Sequence, residues 1–242
     1  LLQTEFREVG KDSEDLFDFS FLNEKDKSVK SHFFSVMKKK INFFNFDESN
    51  LFLKIQQASN DNYLKAYKLK SPIIESDTLM HSYLELNAYS DDLSLTSSVE
   101  IYEDLNKPDS DRYEYIYPNF NLLKAFKSNT TLDGRFSLNS YGYAKTHATN
   151  ISERILVNDL IFNSNPNITK KGFKNTFAYL FKNSNTDSSK STSFKEGMDN
   201  KLDLLFEYSS SYPLIKQTKK FNSTLSPLMT FKYSPNNSKN MT

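Results

Sequence analysis

The feature that most constrains this chain is a two-residue alternation of apolar and polar side chains that returns from one end of it to the other. Leu93, Leu95, Val99 and Ile101 alternate with Ser94, Thr96, Ser98 and Glu100, and the rhythm recurs at Leu202, Leu204, Phe206 and Tyr208. Period two belongs to a β-strand with one apolar and one polar face. With no helical domain interrupting it, the pattern predicts an all-β chain, a long antiparallel meander of about 12 strands. The functional question is what the apolar face touches.

Composition narrows the answer. At 242 residues the chain fits one large all-β unit. Its 31 Lys and Arg against 30 Asp and Glu leave no basic footprint for nucleic acid. The absence of cysteine excludes disulfides, thiolate zinc sites and a thiol nucleophile within this segment, without fixing a compartment. Mean hydropathy is low, at −0.63, yet 21 Phe and 14 Tyr give a heavy aromatic load. A membrane barrel reconciles the two, because lipid-facing aromatics alternate with polar lumen-facing residues. No apolar run is long enough for a transmembrane helix. The chain opens on Leu1 without a leader pattern, so either a signal peptide has been removed or this is an internal piece of a longer protein.

Strands are predicted at Leu1 to Val9 and Asp15 to Leu22, joined by Gly10 to Ser13, with Phe17, Phe19 and Phe21 on one face. Ser31 to Ile41 and Leu51 to Ser59 follow, linked through Asn45 to Asn50. Asp61 to Leu69 breaks the rhythm: Tyr63, Leu64, Tyr67 and Leu69 have helical spacing, and Asp61 is a candidate cap. The clearest hairpin runs from Leu79 to Leu105, with Leu84, Leu86 and Ala88 answering the Leu93 to Ile101 stripe across Ser90, Asp91 and Asp92. After a polar loop, Asn106 to Asp111, comes the Tyr113, Tyr115, Tyr117 stripe, where Pro118 removes a ladder donor and predicts a kink or strand end. Further strands are expected at Arg135 to Lys145, Glu153 to Asn163, Gly172 to Asn183, Met198 to Ser209 and Thr224 to Tyr233. Asn183 to Gly197 reads as a long solvated loop. Most strands run about 9 to 13 residues, which suits a tilted bilayer crossing of about 9 to 11 better than a globular strand of about 5 to 6.

Catalytic and metal chemistry find little support. His32, His81 and His147 lack a second His or carboxylate at helical i+3 or i+4 spacing and read as polar-face or loop residues. The acidic clusters Asp91 with Asp92, Asp109 with Asp111, and Asp12 with Glu14 and Asp15 lack EF-hand spacing and read as solvated turn acids. Neither a G-x-S-x-G elbow nor a phosphate-binding glycine loop is present. No catalytic, cofactor-binding or metal site is assigned, and no enzyme activity is expected. The Tyr113, Tyr115, Tyr117 stripe could stack on sugars, but at strand spacing it reads first as one side of a sheet.

Several phrases, taken in order, resemble a known family. They are TEFREVGKDSEDLFDFSFL, then SHFFSVMKKKINF with LFLKIQQASNDNYLKAY around His32, Asp61, Tyr63 and Leu64, then SSVEIYEDLNKPDSDRYEYIYPNFNL with Pro118. The last is SYPLIKQTKKFNSTLSPLMTFKYSPNN, with Pro213, Leu214, Pro227 and Pro235. Each is degenerate, and only their order is specific. Together they are similar to the barrel of the outer-membrane lipopolysaccharide-assembly family, LptD, also called the organic-solvent-tolerance proteins. The resemblance implies that residues 1–242 are the middle strands of a barrel of about 26 strands, without the periplasmic domain and the closing strands.

It further implies an outer-membrane location in a Gram-negative cell, insertion of lipopolysaccharide into the outer leaflet, and an LptE-type lipoprotein plug inside the barrel. Periplasmic lipopolysaccharide-bridge proteins would engage the missing domain, and lateral-gate residues would lie outside this chain. The outward set would include Phe17, Phe19, Leu93, Leu95, Phe177, Tyr179, Leu204 and Phe206, while Ser94, Thr96, Glu100, Lys201 and Asp203 would face the lumen. The alternatives are another outer-membrane barrel, such as a porin or receptor, and a soluble carbohydrate-binding β-sandwich.

Overall fold

The computed structural model describes residues 2–23, 29–69, 72–108, 110–128, 133–218 and 221–235. Leu1 and Asp109, and the side chain of Phe21, lie outside the described residues. The strands are β1 (Leu2–Val9), β2 (Ser13–Asn23), β3 (Val29–Lys40), β4 (Glu48–Ala58), β5 (Leu79–Ser90), β6 (Leu93–Asp104), β7 (Tyr113–Lys127) and β8 (Gly134–His147). They continue as β9 (Ser152–Ser164), β10 (Asn167–Ile168), β11 (Lys174–Ser189), β12 (Gly197–Ser211), β13 (Leu214–Gln217), β14 (Asn222–Leu225) and β15 (Leu228–Tyr233). One helix, α1 (Tyr63–Tyr67), lies in the connection between β4 and β5.

Twelve strands follow one antiparallel path, β1-β2-β3-β4-β5-β6-β7-β8-β9-β11-β12-β15, with β10 attached to β11 and β13 paired with β14. The chain is therefore the all-β meander that the alternation predicts. Successive strands of this path are antiparallel neighbours, and some are joined by short connections such as the two-residue turn Asp91–Asp92. Among the described residues, β1 and β15 occupy the two ends of this path.

Four local expectations are corrected. Pro118 does not end its strand: β7 runs on to Lys127 through the cis Tyr117–Pro118 peptide, since one missing donor costs a single ladder bond in a run of 15 residues. Asn183 is not the start of a long loop, because β11 continues to Ser189 and β12 begins at Gly197. Those polar residues bond to the ladder's far side, Ser188 Oγ donating to the Lys195 carbonyl at 2.7 Å and Thr186 Oγ1 to that of Asp199 at 3.4 Å. Asn62, rather than Asp61, holds the N-cap position of α1 and makes no side-chain cap bond, while Asp61 pairs with Arg112 at 2.8 Å. Finally, Thr224 to Tyr233 is broken at Pro227 into β14 and β15. Ser211 opposite Leu228 and Leu214 opposite Leu225 nevertheless keep one register, so the two segments form one long ribbon.

Packing divides the chain into two compact units. The first comprises Leu1–Leu122, Tyr141–Leu156 and Thr186–Asp199, the second Leu123–Ser140, Val157–Asn185 and Asn200–Thr242. The first holds the buried cluster Phe34, Ala58, Tyr63, Leu64, Ile73, Met80 and Leu105, built where α1 and its flanking segments fold back onto the sheet.

Candidate functional site

In the first unit, register assigns the side chains to two chemically different faces. One row across the strands reads Met37, Leu53, Leu84, Val99, and the row one residue along reads Val36, Lys54, Tyr83, Glu100. Successive residues of a strand point to opposite faces, so the first row and its neighbours Phe17, Phe19, Phe33, Leu93, Leu95 and Ile101 share an apolar face. That face is the open one: Leu84 is 44% exposed, Val99 49% and Phe19 44%. Ser94, Thr96 and Glu100 lie on the other face, opposite Tyr89, Asn87 and Tyr83.

The polar face is the covered one. Ser20, 2% exposed, lies between Tyr63 Oη and His32 Nδ1, at 2.6 Å from each, and His32 Nε2 lies 3.3 Å from Asp18 Oδ1. The side chains of His32 and Asp18 have no exposure. Tyr63 donating to Ser20 and Ser20 to Nδ1 make a consistent chain, while Nε2, close to Asp18, is outside hydrogen-bond geometry with it. The His32 ring also packs 4.7 Å from that of Phe34. Further along the same face, Gln56 Nε2 donates to the Ile73 carbonyl at 2.9 Å, and its Oε1 accepts from the His81 amide at 2.9 Å. These bonds clamp the β4–β5 connection onto the sheet.

Ser20, His32 and Asp18 bring together the residue types of a hydrolase triad, in a buried setting. Ser20 sits mid-strand, its main chain flanked by Gln3 and His32, so its backbone offers no free amide for an oxyanion. Tyr63 already bonds its hydroxyl, and Ser20 is buried. The other histidines also find carboxylates across strands: His81 Nε2 is 3.1 Å from Glu100, and His147 Nε2 is 3.6 Å from Glu114. Glu100 in addition accepts from Ser98 at 2.6 Å, Tyr102 at 2.9 Å and Asn119 at 3.0 Å. Such clusters are invisible to spacing along one strand, because register between strands brings their members together. Arg112, in the turn before β7, bonds Asp61 at 2.8 Å and Glu103 at 2.7 Å. Its hydrogen bond to Asp61, then that to Glu103, raise its pKa above the ordinary arginine value against the opposing effect of burial.

The acidic clusters serve as turns and ion pairs. Asp91 and Asp92 form the β5–β6 turn, and Glu14 accepts from Arg7 at 2.7 Å. Of the tyrosine stripe, Tyr113 donates to Glu103 at 2.9 Å and stacks 6.2 Å from Tyr115.

The second unit carries an aromatic row across five strands. Ring centroids lie 5.3 Å apart for Phe126 and Phe136, 4.7 Å for Phe136 and Phe162, 6.0 Å for Phe162 and Tyr179, and 5.1 Å for Tyr179 and Phe206. Phe177 with Tyr208, and Phe173 with Tyr212, extend it. Leu204 lines the same apolar hollow of about 300 Å3 as Phe162, Tyr179 and Phe206. The opposite face is polar: Asp159 and Lys182, three residues from Phe162 and Tyr179 and so on the other side, pair at 3.8 Å. Lys201 and Asp203 share that side of β12 with Glu207, which pairs with Lys232 at 2.9 Å.

No protein-family model matches the sequence, and no curated protein matches it significantly.

Proposed function

We propose that this chain is wall: a run of strands from an outer-membrane β-barrel whose apolar face meets lipid and whose polar face lines the lumen. The observation that carries this reading is the inverted exposure of the first unit. Leu84 and Val99 stand open on the apolar face while Asp18, Ser20 and His32 are buried on the polar one. A water-soluble sheet with one covered face buries its apolar side; a barrel wall in lipid does the reverse. The aromatic row of the second unit has the composition of the girdle such walls carry at a bilayer interface. Strands of 11 to 16 residues, from β2 to β12 with the short β10 excepted, are long enough for a tilted crossing.

The particular barrel we infer is a lipopolysaccharide translocon of the LptD type, acting with a lipoprotein plug. This rests on the order of the four sequence phrases that begin at Thr4, Ser31, Ser97 and Ser211. Physically, a polar inner face would shelter sugar hydroxyls, which would otherwise lose their hydrogen bonds in hydrocarbon. The test is site-specific photocrosslinking in cells with the full-length protein. A photoreactive residue replacing Thr96 or Asp203 should capture lipopolysaccharide sugar or plug protein, and one replacing Leu84 should capture lipid only. Equal capture of an unrelated solute and no lipopolysaccharide would point to a porin instead.

A further inference from the structure

Beneath the β4–β5 connection, the polar face of the first unit holds a cleft of about 310 Å3. Its walls are apolar, formed by Leu16, Val36, Phe52, Pro72 and Ile73, and its charged groups are Glu14, Lys38, Lys54 and Glu75. Glu14 accepts from Arg7 at 2.7 Å, and the exposed Lys38 holds its Nζ 5.3 Å over the Phe52 ring. Lys54 is different: its side chain is only 4% exposed, and its Nζ lies 2.7 Å from a carboxylate oxygen of Glu75, whose own side chain is 71% exposed.

That asymmetry is informative. A buried ammonium requires a counter-charge, because leaving it unpaired in a low-dielectric site is costly. Nothing in the cleft requires that charge to be Glu75. Glu75 reaches in from a surface connection and gives up little by returning to water, since exposed carboxylates are well solvated. An incoming anion would replace like with like at Nζ, while an apolar substituent on it would cover Val36, Phe52 and Ile73. Lys38 at the rim adds a second positive charge.

We propose that Lys54 forms an exchangeable site for an amphiphilic organic anion, with Glu75 as its built-in competitor. The head, a phosphate or a group of like charge, sits on Lys54, and the apolar part lies against the cleft walls. This inference is independent of the membrane reading, since the site is complete within the first unit and needs no bilayer.

The experiment is calorimetric titration of the full chain, in a neutral maltoside detergent, with three probes: n-butyl phosphate, inorganic phosphate and n-butanol. Butyl phosphate should bind about fivefold or more tighter than inorganic phosphate, and butanol not measurably, because both halves of the ligand are used. Lys54→Met should abolish the heat. Glu75→Gln should tighten binding about threefold or more, because the unliganded site is no longer self-occupied. Circular dichroism checks that each variant keeps its strands, and Glu75→Gln decides the matter if Lys54→Met unfolds. Binding that survives Lys54→Met, stays the same or weakens in Glu75→Gln, or favours inorganic phosphate equally would overturn the proposal. None of these results would touch the barrel-wall reading, which is tested in bilayers.

Discussion

Leu84 on β5 and Val99 on β6 stand directly opposite one another, and each leaves nearly half its surface open, 44% and 49%. One residue along, Tyr83 faces Glu100, whose carboxylate gathers Ser98, Tyr102, His81 and Asn119. The greasy pair is open and the satisfied polar cluster is half-buried. A lysine at either greasy position therefore separates the environments sharply. In a bilayer near its midplane, Leu84→Lys or Val99→Lys should cost about 2 to 4 kcal/mol of folding free energy. In water the same change on an open face should be near neutral, within about 0.5 kcal/mol. Urea titration of the full-length protein in phospholipid vesicles measures the difference.

The clamp on the β4–β5 connection should be as sensitive as any core. Leu64 is 2% exposed within the cluster around Phe34 and Ile73, so Leu64→Ala should destabilise by about 2 to 5 kcal/mol. Tyr63→Phe removes the donor to Ser20 and should cost about 1 to 3 kcal/mol, because a buried hydroxyl then loses a partner. Amide exchange separates local from global effects. Tyr63→Phe should speed exchange in residues 62–69 well before β5 and β6 respond, and uniform loss of protection would contradict a local clamp.

Gly142 on β8 is a tight approach between strands. A methyl group there would press on the Ile155 carbonyl and on Leu156 Cα, backbone atoms that cannot swing aside. Gly142→Ala should cost about 1 to 3 kcal/mol, as overpacking usually does. Gly197 has open space but sits at φ +88°, so Gly197→Ala is penalised through backbone strain instead. Thermal melts of the two variants should both fall, and a neutral Gly142→Ala would show that β8 and β9 pack less closely than described.

In the aromatic row, Phe162 is the buried member, 3% exposed, touching Phe136 on one side and Tyr179 on the other. Phe162→Ala should cost about 3 to 5 kcal/mol. Phe126→Ala, at the exposed end of the row, should cost less. The two values from equilibrium unfolding should differ by at least twofold.

Much of this was legible in the sequence, for a physical reason. Period-two alternation fixes which face each side chain takes, and turn residues such as Asp91 and Asp92 fix where strands reverse, so the meander and the two faces follow from local rules. The rest depends on register. Asp18, Ser20, His32 and Tyr63 come from two strands and a helix, brought together by the pairing of Ser20 with His32 and by the packing of α1 on the sheet. Strand ends are hidden for the same reason: Ser184 to Ser189 look like a loop alone, and become strand because the start of β12, from Gly197, pairs alongside. The Lys54–Glu75 pair was invisible because the β4–β5 connection gave no sign of folding inward.

Where the apolar face points in the full-length protein decides whether this chain is barrel wall. Residues 1–242 lack cysteine, so single spin labels can be placed along β6 once any cysteine elsewhere in the full-length protein is replaced by serine. With the protein in vesicles, accessibility to lipid-soluble oxygen should peak at Leu95, Ser97, Val99 and Ile101, and accessibility to a water-soluble nickel chelate at Ser94 and Thr96. Alternation of that phase is the predicted result; chelate access at every position, or a protein that stays in solution as a folded monomer without lipid, would contradict it.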